Sequence, residues 1–139
     1  MSKYQIKTHR AGTIYQGNYF FIQSKGFHSG KPLKEPYPNC FVCLCDNETS
    51  LDEMYWMLYI LWQGRKFHEV LVGSVIPFIR IKDLQETIEL ALYKFDGCPQ
   101  QFYQTVEALK SLQKQELNYF NINDQIGKLK MTLVCRMIG

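Results

Sequence analysis

The stretch Cys40-Phe41-Val42-Cys43-Leu44-Cys45, followed after residues 46–49 by Ser50-Leu51-Asp52-Glu53-Met54-Tyr55-Trp56-Met57-Leu58, decides the class of fold. An unbroken apolar run leaves neither face of a strand for water, so this strand is expected at the centre of a sheet. Ser50 and Glu53 stand at the spacing of a capping box, in which the hydroxyl accepts from the Glu53 backbone and the carboxylate reaches back. Leu51, Met54, Tyr55, Leu58, Leu61 and Trp62 then recur at helical spacing, which predicts a helix over about 51–62. Strands before this helix and helices after it make an α+β chain.

Towards the N-terminus, Tyr4 to Lys7 alternates weakly, and Tyr19-Phe20-Phe21-Ile22 is an apolar run bounded by Gly17-Asn18 and Ser24. Both read as strands. Residues 25–39 hold two Gly and three Pro, and form a loop.

Towards the C-terminus, Gly64 ends or bends the first helix, and residues 66–71 offer a further turn. Gly73-Ser74 is a turn, and Val75 to Ile81 reads as a β-branched strand in which Pro77, with no N–H to give, marks an edge or a bulge. From Asp83 onward the pattern is helical. Leu84, Ile88, Ala91 and Leu92 stripe one helix, and Asp96-Gly97-Cys98-Pro99 breaks it. Phe102, Val106, Leu109 and Leu112 begin another, and Ile126, Leu129, Leu133 and Met137 resume the period after Asn121-Ile122-Asn123-Asp124. Unbroken, that last helix would be about 58 Å long. Asn and Asp cap helices better than they fill them, which favours a break near Asn121. The expected fold is thus a small mixed or antiparallel sheet packed with a capped helix, then a C-terminal helical hairpin or one long helix. It forms one domain over residues 1–139, with a core in 1–98 and helices in 99–139.

Composition narrows the function. A chain of 139 residues can bury one core. No apolar run approaches the roughly 18 residues of a membrane helix, and the start, Met-Ser-Lys-Tyr-Gln-Ile-Lys, lacks a leader's apolar stretch, so a cytoplasmic protein is expected. Five cysteines, an odd number, make a poor disulfide framework. On a strand Cys43 and Cys45 share one face and Cys40 takes the other, and His28 could supply a fourth ligand only by folding of its loop, so the trio reads as buried thiols rather than a tetrahedral metal site. No nucleophile elbow, metalloprotease motif, carboxylate pair or cofactor motif is present, which points away from an enzyme.

Charge is unevenly placed. Within residues 1–45, Lys3, Lys7, Arg10, Lys25, Lys31 and Lys34 face one acid, Glu35; the other 94 residues carry ten basic and twelve acidic side chains. A basic first third suits an anionic partner, nucleic acid foremost. Lys25-Gly26-Phe27-His28-Ser29-Gly30-Lys31 has the glycines and lysines of an anion-holding loop. It lacks the order of a nucleotide P-loop, and no helix follows it. Side chains and backbone amides of such a loop can still meet phosphates.

Residues 24–33, Ser24-Lys25-Gly26-Phe27-His28-Ser29-Gly30-Lys31-Pro32-Leu33, and Pro38-Asn39-Cys40-Phe41 carry a whole-chain resemblance to an uncharacterised family of Bacteroides-type gut bacteria and their mobile elements. More locally, Tyr55-Trp56-Met57-Leu58, Gly73-Ser74, Val75-Ile76-Pro77-Phe78-Ile79-Arg80 and Asp83-Leu84 resemble part of the target recognition domain of type I restriction specificity subunits. That similarity covers about 30 residues and a single copy. It implies a domain that reads DNA, followed by a long helix that pairs with its counterpart. The reading that combines charge and resemblance is a non-enzymatic module that binds duplex DNA, with Lys25, His28, Lys31 and Lys34 along phosphates and Arg80 and Lys82 as second candidates. A homodimer through the C-terminal helices is a possible assembly. The alternative is a protein-interaction module of a mobile element that binds no nucleic acid.

Overall fold

The structure, a computed structural model, describes residues 3–139. It groups into two compact units, one ending at Gly97 and one comprising Cys98–Gly139. Among the described residues, no helix is long and apolar enough to cross a membrane.

The first unit is α+β. Strands β1 (Tyr4–Thr8), β2 (Asn18–Gln23), β3 (Pro32–Leu33) and β4 (Cys40–Cys45) form one antiparallel sheet in the order β1-β4-β2-β3. The all-apolar strand is therefore internal, hydrogen-bonded on both sides. Its register sets Val42 between Lys7 and Phe21, and Cys43 between Ile6 and Phe20. Because neighbours across a ladder share a face, Ile6, Phe20, Ile22, Phe41 and Cys43 form one buried face. Phe21, Cys40 and Val42 belong to the other, where Tyr15, Tyr19, Leu33 and Leu44 pack on them. Covering both faces explains why β4 has no polar alternation.

Helix α1 (Glu48–Gln63) follows β4 almost at once. Its N-cap is Asn47, whose side-chain oxygen accepts from the Ser50 N–H at 2.8 Å. The helix thus begins three residues before the expected Ser50 cap, and Ser50 is buried inside the first turn. Asn is as strong a cap as Ser, so the earlier residue in the chain captures the free amides. Met54, Trp56, Met57, Leu58 and Leu61 are buried, and the Tyr55 ring meets Phe20 edge-on at 5.6 Å. Full burial of side chains such as Leu58 on α1 and Ile22 on the face carrying Phe20 stabilises by roughly 1.5–3 kcal/mol each relative to exposure.

Gly64 closes α1, and Arg65 turns the chain with a left-handed φ of 58° into a 3-10 turn, Lys66–Val70, which buries Phe67. Residues 75–81 do not form the expected strand. Val72 pairs with Phe78 through two hydrogen bonds of 2.9 Å, leaving Val75 and Ile76 exposed at the tip of a turn. Pro77 donates nothing to a ladder, and Gly73, at φ 97°, lets the chain reverse. Helix α2 (Ile81–Asp96) buries the expected Leu84, Ile88, Ala91 and Leu92 and packs on β1, where the Tyr4 hydroxyl donates to the Glu89 carboxylate.

The second unit is one helix, α3 (Pro99–Ile138), 40 residues or roughly 60 Å long at 1.5 Å per residue. The break favoured near Asn121 does not occur. Asn and Asp inside a helix cost only about 0.7 kcal/mol each against Ala, far less than the roughly 3 kcal/mol of Pro, which is absent beyond Pro99. Asp124 also pairs with Lys128 at 3.0 Å, one turn on, and straps the helix across the expected break.

Candidate nucleic-acid interface

The Gly- and Lys-rich loop is held in a single shape by its backbone. Gln23 N–H donates to the Lys31 carbonyl at 3.0 Å, and Gly30 N–H donates back to the Gln23 carbonyl at 2.7 Å, so residues 23 and 31 close the loop like the end of a ladder. Inside it, buried Ser29 donates through its hydroxyl to the Gly26 carbonyl at 2.6 Å. Gly30 passes directly over the buried Phe67 ring at φ 95°; a Cβ there would lie 2.1 Å from a ring carbon. The glycine is required by the close approach and by the backbone angle together.

This fixed backbone sets the expected basic residues in two places. Lys25 forms a bridge with Phe78, flanked by Ile79 N–H donating to Ser24 O at 3.0 Å and Gly26 N–H donating to Pro77 O at 2.7 Å. The segment leading into Arg80, the exposed N-cap residue of α2, therefore runs alongside Lys25. His28 and Lys31 meet on the last turn of α1. The Lys31 ammonium lies 5.0 Å from the centre of the Trp62 ring, and the His28 ring lies 5.8 Å from it. An ammonium over an indole is drawn to the ring's negative face, which orders Lys31 while its charge stays half-exposed. Lys34, beyond the edge strand β3, and Lys82, in the first turn of α2, are both exposed and share no hydrogen bond, ion pair or ring contact with this cluster.

Two participants were not legible as site residues in the sequence. Trp62 reads there as part of a helical stripe, and His68 as a residue following the helix. In the fold His68 Nε2 sits 3.2 Å from the Phe27 carbonyl, and because a carbonyl only accepts, that nitrogen carries the proton. Phe27 itself stands exposed. The loop thus presents His28 and Lys31 on Trp62 and, apart from them, exposed Lys25 and Phe27, and residues 18–34 contain no acid.

Other clusters differ in character. A groove of about 520 Å³ between α1, the 3-10 turn and α2 carries both charge signs, Lys66 and Lys94 with Glu69, Asp83 and Glu86, and so has no bias towards an anion. On the outer sheet face His9 Nδ1 lies 2.9 Å from the Tyr15 hydroxyl, and His9, Tyr15 and Tyr19 close around Phe21 as a lid of rings. Cys43 and Cys45 share a face with sulfurs 3.9 Å apart. The hydrogen bond to Cys45, with burial, pushes the Cys43 thiol far above its usual range, and the same bond draws Cys45 below its own. Burial raises Cys40 as well. Among the described residues, no three His, Cys, Asp or Glu side chains gather as metal ligands.

No curated protein matches the chain in sequence. The family of unknown function DUF6943 matches residues 6–136, nearly the whole length, and the chain belongs to it.

Proposed function

We propose that this chain is a non-enzymatic module that binds duplex DNA through its phosphates, with the 24–31 loop as the contact surface. The observation that carries the reading is the gathering of His28 and Lys31 on Trp62, on a loop locked by Gly30 over Phe67 and free of acidic residues, with Lys25 exposed elsewhere on the same loop. Ordered cations lose little entropy when they meet a phosphate, and backbone phosphates supply most of the affinity of such modules. Arg80 extends the surface along the segment paired with Lys25; Lys82 and Lys34 lie outside the cluster and contribute through long-range attraction. The local resemblance to target recognition domains supplies duplex DNA as the partner class. Its Ile-Pro-Phe-Ile segment is a turn in this chain, so the proposal stands on the loop.

Fluorescence anisotropy with a labelled duplex tests it. Binding is expected at low salt, falling steeply as salt rises, and Lys31→Ala with Lys25→Ala is expected to lower the slope of log K against log salt by about two, roughly one per phosphate contact. Absence of binding at low salt would sink the proposal. A second reading, an assembly module of a mobile element without nucleic-acid contact, is favoured by the exposed apolar residues of α3, among them Leu112, Tyr119 and Leu133. The two separate by salt, since an apolar association persists where phosphate contacts fade.

A further inference from the structure

We infer that α3 pairs with α3 of a second copy of this chain, side by side and antiparallel, about a two-fold axis at Asp124. Every residue from 111 to 139 is exposed, including a dozen large apolar side chains. Leu112, Tyr119, Ile126 and Leu133 recur every seventh residue, and Ile122 and Leu129 lie three residues beyond Tyr119 and Ile126. Alternating steps of three and four are the seam of a two-stranded coiled coil. Continued at both ends, the seam takes in Gln115 and Arg136, so the polar positions sit near its ends and the five consecutive positions from Tyr119 to Leu133 are apolar, with Leu112 a sixth apolar member beyond Gln115. Each of these six apolar residues is 45–65% exposed. The stretch 112–136 spans a little over three heptads, about the length a stable pairing needs. A rival stripe through Leu117, Phe120, Met131 and Val134 is cut in its middle by Asp124, already paired to Lys128, and by Gly127. It cannot form a continuous seam.

Charge chooses the orientation and the partner. In a parallel pair each seam residue meets its own copy, which would set Arg136 against Arg136 of the other chain, and the flanking positions would match no opposite charges. In the antiparallel register Ile126 packs on Ile122, Tyr119 on Leu129, and Leu133 on Gln115 of the second copy. Arg136 then lies over Leu112, where its aliphatic stem covers apolar surface and its head reaches water. The same register brings Glu116 opposite Lys130 of the second copy, twice by symmetry. Among the described residues, Glu116 and Lys130 make no ion pair, whereas Glu107 and Asp124 are each matched one turn away, to Lys110 and Lys128. The seam is thus complementary to itself, which identifies a second copy of this chain as its occupant.

Sedimentation equilibrium of the full chain, over micromolar concentrations and at low and high salt, tests the inference. A dimer that persists at high salt is expected. Ile126→Glu is expected to yield a monomer with the far-UV helical signal of the folded chain retained. Glu116→Lys and Lys130→Glu, each alone, place like charges together at two symmetric points and are expected to weaken the low-salt dimer by roughly three- to tenfold; the double exchange is expected to restore it. A chain that stays monomeric to about 100 μM overturns the pairing. A dimer indifferent to the single exchanges, or not restored by the double one, overturns the antiparallel register. These measurements contain no DNA, so they succeed or fail apart from the anisotropy experiment.

Discussion

Gly26 and Gly30 look alike in sequence and share a φ of 95°, yet their surroundings set different costs for a side chain. A Cβ on Gly26 would meet only the Gln23 amide at 3.6 Å, an ordinary contact, so Gly26→Ala pays the backbone strain alone, about 1 kcal/mol. A Cβ on Gly30 would strike the Phe67 ring at 2.1 Å, and Phe67 is fully buried and has nowhere to go. Gly30→Ala is therefore expected to destabilise by roughly 2–4 kcal/mol, strain plus overpacking. Phe67→Leu, which clears the ring, should recover part of that loss in the double variant, a coupling that two independent sites would not show. Urea unfolding of the four variants checks the ordering; equal losses at Gly26 and Gly30 would mean that the loop does not lie on Phe67.

Among the elements, α1 carries the clearest lesson about what a sequence reveals. Its apolar stripe was legible, as were the stripe of α2 and the internal place of β4, because each pattern lies within one element and reflects burial on known faces. Its start was not, because Asn47 and Ser50 are both good caps and spacing alone does not choose between them. The observed bond from Ser50 N–H to Asn47 predicts that Asn47→Ala costs about 1 kcal/mol and that Asn47→Asp costs little, measured as shifts of the urea midpoint at constant slope. An unchanged midpoint in Asn47→Ala would return the cap to Ser50. The 75–81 segment was misread for a different reason: β-branched residues favour a strand only when a neighbouring strand is free to pair, and here Phe78 bonds back to Val72 instead. The loop site was half legible. Its lysines and glycines were in plain view, but Trp62 and His68 join it only because the chain folds residues 28–31 onto the end of α1, a long-range contact with no local trace.

At the scale of the whole molecule, the raised titrations of two phenols and two thiols make the fold sensitive to alkali. Burial and the hydrogen bond to Glu89 hold the Tyr4 phenol protonated beyond its usual range, burial does the same for Tyr55 and Cys40, and the bond to Cys45, with burial, does so for Cys43. Cys45 moves the other way. A group whose folded pKa is raised contributes stability in full below its unfolded pKa and loses it as pH climbs towards the folded value. The unfolded chain releases those protons first, near pH 8.5 for thiols and 10 for phenols, so it binds fewer protons than the native state and stability falls with rising pH. Urea midpoints taken under reducing conditions are accordingly expected to drop steadily from about pH 8.5 upward. Tyr4→Phe separates the contributions. It removes the bond to Glu89 and so lowers stability at pH 7, but it also removes one group that ionises on unfolding, and its alkaline decline should be shallower than that of the natural chain. A variant that declined as steeply as the natural chain above pH 10 would show that Tyr4 ionises alike in both states, and that its packing between β1 and α2 does not hold the proton.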